Sequence, residues 1–119
     1  VAHVHTMHAG ESVSYGATFT AERNMRVATL AVGYADGFIR AYSGATVRIR
    51  GVDCPIIGRI CMDQCVCDVN AVPDIKPGDE ALLFGEGKPV DELARIAGTI
   101  NYECICLIGK RIPRIVSRK

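Results

Sequence analysis

Three features of the sequence predict a mostly β chain, folded as a small antiparallel barrel or sandwich with one short helix. Apolar and polar residues alternate with a period of two along much of its length. β-Branched residues are frequent, and clusters of Gly, Pro and Asp separate the alternating runs. Only one segment has helical spacing. The first strand-like stretch is Glu11–Ala21, which mixes small, β-branched and aromatic residues. Met25–Val32 follows as a strand, and Gly33-Tyr34-Ala35-Asp36-Gly37 interrupts it as a loop, its glycines bracketing an aspartate. In Ala45–Arg50, Val47 and Ile49 alternate with Arg48 and Arg50, as on a half-buried strand. Gly51-Val52-Asp53 can turn the chain into a strand over Cys54–Ile60. Alternation resumes at Cys65–Val69, and Lys76-Pro77-Gly78-Asp79 forms a turn into Glu80–Phe84. Val90–Ala97 is the helix: Val90, Leu93, Ala94 and Ala97 share one face, and Gly98 is placed to end it. Tyr102–Ile108 and Ile112–Val116 are expected to return to strand.

Size and charge exclude several classes of function. The 119 residues form one domain (1–119), without internal repeat or linker, long enough to bury roughly two-thirds of the unfolded surface. A formal net charge of +1, with four tyrosines, three phenylalanines and no tryptophan, opposes a nucleic-acid binder that reads phosphates or stacks bases. No run approaches the roughly 18 apolar residues of a membrane span. At 49% hydrophobic residues, the chain is too apolar for intrinsic disorder.

The six cysteines suit free thiols in a reducing cytoplasm better than a secreted disulfide scaffold. Cys65/Cys67 and Cys104/Cys106 are C-x-C pairs, and on a strand both sulfurs of each pair would share a face. That spacing is not the separated C-x-x-C pairing of a zinc site, and no metal is expected. His3 and His5 would share a strand face, but two imidazoles are too few ligands by themselves. Five Lys or Arg residues between Lys110 and Lys119 fit either a phosphate patch or a solvated strand end. Composition and spacing alone supply no reaction: neither a nucleophile elbow nor a P-loop or dinucleotide fingerprint is present.

Four stretches, in order, carry a resemblance: Val13-Ser14-Tyr15-Gly16-Ala17-Thr18-Phe19; Val32-Gly33-Tyr34-Ala35-Asp36-Gly37; Gly58-Arg59-Ile60-Cys61-Met62-Asp63-Gln64; and Gly98-Thr99-Ile100-Asn101-Tyr102-Glu103 with Arg111-Ile112-Pro113-Arg114. Together they resemble the C-terminal β-domain of the alanine racemase family over nearly the whole chain. The family uses pyridoxal phosphate to interconvert L- and D-alanine, and its N-terminal barrel carries the lysine that bonds the cofactor. Nothing here corresponds to that barrel. With Val1 in place of an initiator methionine, the chain is expected to be a fragment, inactive alone.

The resemblance implies roles residue by residue. Tyr15 corresponds to the family's tyrosine base, and Gly16 beside it would let backbone approach the substrate. A free phenol titrates at about 10, so a base near neutrality needs help from its surroundings. Tyr102 is similar to the tyrosine that binds the cofactor phosphate. Met62, flanked by Cys61 and Asp63, resembles the lining of the substrate-carboxylate site. Tyr34, Arg40 and Arg59 resemble entrance residues, where arginines would draw in an anionic amino acid. The implied partners are the small amino acid substrate, the N-terminal barrel and a second subunit in a homodimer, with Tyr15 and Met62 reaching into the partner's barrel while Tyr102 serves its own. A serine or other small-amino-acid racemase is an alternative within the same fold. A free-standing β-barrel binding module is the alternative of another class.

Overall fold

The computed structural model describes residues 1–13, 19–110, 112–113 and 115. In chain order the strands are β1 (His3–Met7), β2 (Ser12–Val13), β3 (Phe19–Thr20), β4 (Met25–Leu30), β5 (Thr46–Ile49), β6 (Val52–Ile57), β7 (Cys65–Asp68) and β8 (Ala81–Leu82). Two helices follow, α1 (Asp91–Ala97) and α2 (Asn101–Cys106), while Tyr34–Asp36 and Arg40–Tyr42 form single tight helical turns. Six strands make an antiparallel half-barrel in the order β1-β4-β7-β6-β5-β8. Near one end the two edges meet, where the Gly78 N–H donates to the Val1 carbonyl at 2.8 Å.

The middle of the sheet is covered on both faces, so β4 carries buried apolar residues on each. Ala28 and Leu30 point into the main core with Val47, Ile49, Cys54, Ile56, Cys65 and Cys67. Met25 and Val27 point the other way, into a small second core with Met7, Ala21 and Ile57. The β5–β6 hairpin turns at Arg50 and Gly51, both at positive φ (51° and 78°), as a two-residue hairpin turn compatible with strand twist requires. Arg50 then holds Asp79 through two hydrogen bonds, 3.0 and 3.2 Å, beside the turn that leads to β8.

The expected strand over Glu11–Ala21 consists of β2 and β3, and residues 14–18 between them lie outside the described residues. β2 pairs with β3 in the register that also joins β1 to β4, so the two ladders are parts of one ribbon interrupted at residues 8–11 and 21–24. The interruption has its own bonds. The Ala9 N–H donates to Asn24 Oδ1, the His8 N–H to Glu11 Oε1, and the Gly10 N–H to the Ala21 carbonyl.

The mostly β reading holds, with one correction. Tyr102–Ile108 does not form a strand; α2 occupies its first part, so the domain has two short helices. α1 ends at Gly98 (φ 74°), whose N–H caps the carbonyls of Ala94 and Arg95. The chain then reverses: Thr99 Oγ1 donates to Glu103 Oε1 at 2.7 Å, and Asn101 Nδ2 donates to Asp91 Oδ1 at 2.9 Å. These bonds set α2 against α1 and override a pattern that was never a true alternation, since only Glu103 is polar between Tyr102 and Ile108. Cys104 is buried and Cys106 exposed, so this C-x-C pair does not share a face, whereas Cys65 and Cys67 do. Of the expected strand Ile112–Val116, residues 112, 113 and 115 are described, and none of them is in a strand.

Candidate functional site

Three chain segments build a groove of about 350 Å³ at the lip of the half-barrel, lined by Tyr34, Arg40, Arg59, Ile60, Cys61 and Met62. The two tight turns after β4 supply Tyr34 and Arg40, and the β6–β7 connection supplies the rest. Ile60 is the buried anchor; Tyr34 and Met62 are 45% and 56% exposed, leaving a phenol and a thioether facing solvent. Arg40 and Arg59 are exposed as well, so the groove offers two guanidinium groups beside an apolar floor. That combination suits a small molecule with an anionic end, which guanidinium forks bind by paired hydrogen bonds.

Gly33 sets the geometry. The Tyr34 N–H donates to the Cys61 carbonyl and the Ala35 N–H to the Met62 carbonyl, both at 2.9 Å. A side chain on Gly33 would put a Cβ 2.2 Å from the Cys61 oxygen, so the two segments approach this closely only because residue 33 is glycine. On the other side of the turn, Gly37 (φ 101°) packs against the Leu107 carbonyl, and the Gly109 N–H donates to the Asp36 carbonyl at 3.0 Å. The loop expected from Gly33–Gly37 is therefore a joint between the groove and the exit of α2.

The structure brings five of the expected site residues together: Tyr34, Arg40, Arg59, Cys61 and Met62. Asp63 follows directly but is exposed and does not line the groove. Tyr102 stands apart on the outer side of α2, 74% exposed and flanked by exposed Ile100 and Ile105. Tyr15 lies outside the described residues. Tyr42 is a different kind of tyrosine. It is buried, and burial, with the Cys104 thiol against its hydroxyl, pushes its titration well above the ordinary phenol range. It is a core residue, whereas Tyr34 and Tyr102 face outward.

Other polar clusters among the described residues lie outside the groove. A larger cleft, about 700 Å³, contains Arg48 and Arg50, but these already pair with Asp53 and Asp79 and hold both carboxyls below the usual range. His3 and His5 stack at 5.0 Å on exposed β1, and among the described residues no third ligand joins them. Sequence reasoning missed the clasp of buried Lys88, which donates to Thr46 Oγ1 at 2.8 Å and pairs with Glu92 at 3.5 Å. Its four-residue spacing from Glu92 across the start of α1 was the available signal. No described helix is long and apolar enough to cross a membrane.

The fold and the site define the class: a β-domain, an antiparallel half-barrel with an arginine-flanked groove open at its lip. Comparison with known proteins narrows the class. Residues 1–116 match the family described as "Alanine racemase, C-terminal domain", and the chain belongs to that family. It is 51% identical over 120 residues to alanine racemase 1 of Clostridium acetobutylicum, covering 97% of this chain and 31% of that protein. Among solved structures it is similar to the alanine racemase of Clostridium difficile 630 in complex with cycloserine, with a TM-score of 0.91 and 41% identity over 94% of this chain and 30% of that one. It is also similar to the Bacillus anthracis alanine racemase with bound L-Ala-P, with a TM-score of 0.91 and 36% identity over 99% of this chain and 31% of that one. The chain spans about a third of the length of the relatives it matches.

Proposed function

We propose that this chain works as the C-terminal domain of an alanine racemase, supplying one proton-transfer tyrosine and part of the substrate site. The groove that gathers Tyr34, Arg40, Arg59, Cys61 and Met62 carries the proposal. Alanine presents a carboxylate and a single methyl group, which the groove's cationic rim and short apolar floor would accept. Arg40 and Arg59 draw the carboxylate in, and Met62 packs against the substrate beside it. Tyr15 returns or removes the Cα proton on one face, and a base from outside this chain serves the other face. A partner subunit and an N-terminal barrel would complete the site.

Pyridoxal phosphate, when bound, would delocalise the electron pair left at Cα when the proton departs. The described residues fit only its phosphate end. The Tyr102 hydroxyl is exposed on α2 and has no hydrogen bond among the described residues, so it is available to donate to a phosphate oxygen. Among the described residues no lysine lines the groove, and Lys88 is buried and engaged, so a covalent anchor would come from outside the groove. Cys54, Cys65, Cys67 and Cys104 are buried free thiols, which supports a reducing cytoplasm as the working compartment.

The test is to incubate the intact protein that carries this chain with pyridoxal phosphate and L-alanine, with L-serine in parallel, and follow the D-enantiomers. Alanine conversion is expected to exceed serine conversion, and the 119-residue chain alone is expected to stay at the free-cofactor background. No conversion by the intact protein overturns the reading. Cofactor titration into the apoprotein tests Tyr102. One hydrogen bond to a charged group is worth about 1.5–3 kcal/mol, so Tyr102→Phe should weaken retention about 10–150-fold. Equal affinities would remove Tyr102 from the phosphate site.

A further inference from the structure

We infer that Asp36 is a positioning residue that couples the substrate groove to the helix bearing Tyr102. The inference rests on the reading of the groove as substrate-binding and of Tyr102 as cofactor-binding. Asp36 bonds within the Gly33–Gly37 turn and beyond it. Its carboxylate accepts the Gly33 N–H (3.1 Å), while its own N–H donates back to the Gly33 carbonyl (3.0 Å). These bonds close the turn that aims the Tyr34 and Ala35 N–H groups at the Cys61 and Met62 carbonyls. Its carbonyl accepts the Gly109 N–H, two residues beyond Leu107, the residue that ends α2.

Two steric facts make the joint stiff. A Cβ at Gly33 would strike the Cys61 and Met62 backbone at 2.2–2.6 Å, and one at Gly37 would strike the Leu107 carbonyl at 2.4 Å. Both contacts are backbone against backbone, so neither segment can slip by a rotamer change. A shift of the turn therefore moves Tyr34 and Met62 on one side and the end of α2 on the other. Removing the Asp36 carboxylate leaves the Gly33 N–H without its acceptor and loosens both sides together. A residue with a purely local role would disturb one side only.

The experiment compares wild type, Asp36→Asn and Asp36→Ala in the intact protein. Amide hydrogen exchange is read at Tyr34, Ala35 and Gly109, and KM for alanine and apoprotein affinity for pyridoxal phosphate are measured alongside. Asp36→Ala should speed exchange at all three amides about tenfold, leaving those of the β4–β7 ladder unchanged. It should also raise KM and weaken cofactor affinity by comparable factors of about ten, with a smaller change in kcat. Asp36→Asn keeps an oxygen that can accept the Gly33 N–H, and should recover most of each effect. Faster exchange at Tyr34 and Ala35 with Gly109 unchanged overturns the coupling, as does a loss confined to kcat. Should Asp36→Ala fail to fold, Asp36→Asn decides by the same exchange readout, because its weaker bond should still move the three amides together. A wild type without racemase activity contradicts the functional reading, while the exchange pattern still decides the role of Asp36.

Discussion

Cys65-Val66-Cys67 and Cys104-Ile105-Cys106 have the same cysteine spacing and different structures. The first pair sits in β7, between β4 and β6, with both thiols sealed into the main core and Val66 turned to the opposite face. The second sits in α2, where a two-residue step turns the side chain roughly halfway round the helix, so Cys104 is buried and Cys106 exposed. What separates them lies outside the pairs. β7 has ladder partners on both sides, whereas α2 follows a glycine cap and is tied to α1 through Asn101 and Asp91. Cysteine spacing specifies a face only once the backbone period is known.

The largest effect that would break this contrast is a buried charge. Cys67→Asp should cost at least about 3 kcal/mol in denaturant unfolding, while Cys106→Asp should stay within about 0.5 kcal/mol. Similar losses at both positions would put Cys106 in the core. The glycines give a second contrast, somewhat smaller. Gly33→Ala meets the Cys61 carbonyl and should cost roughly 1–3 kcal/mol and displace the groove lip. Gly10→Ala has open space around its Cβ and pays only for its positive φ, about 1 kcal/mol. Thermal unfolding of the two variants, with chemical shifts at Cys61 and Met62, separates the cases.

The third contrast is a pH dependence. Burial pushes the Cys65 and Cys67 thiols up to about 12 from an ordinary value of 9.0. Above about pH 9 the unfolded chain loses these protons and the folded chain keeps them, so stability falls as pH rises and levels off only near pH 12. Each thiol contributes up to about 1.4 kcal/mol per pH unit in that window. Cys67→Ala should flatten the alkaline limb of a stability–pH curve. A limb that matches the wild type would mean that other groups set it.

Much of the sheet was legible because alternation reports burial directly. Val47 and Ile49 turn inward as their spacing requires, and Gly98 ends α1 where expected. α2 was not, because five of its neighbouring residues are apolar on every side and mask any period. The clearer signals were the Gly98 stop and the Thr99–Glu103 pair, which hold the reversal into a second helix. In the site, residues recognised by family resemblance converge in the groove. The way they are held was hidden: it depends on Gly33 and Gly37 meeting backbone from segments far away in sequence, and no local pattern reports such a contact. Asp63, next to Met62 in the sequence, is exposed outside the groove, and Tyr102 lies apart on α2, so the groove gathers only some of the residues that the resemblance names.

In the proposed function Tyr15 is the proton-transfer group on one face of the substrate. The most direct measurement is solvent-isotope exchange at Cα, starting from each alanine enantiomer, in the intact protein with Tyr15→Phe. Proton transfer by a positioned side chain is worth about 10²–10⁴-fold. The account predicts a loss of that order in exchange from one enantiomer, with much smaller loss from the other and little change in substrate affinity. Equal losses from both enantiomers would contradict it.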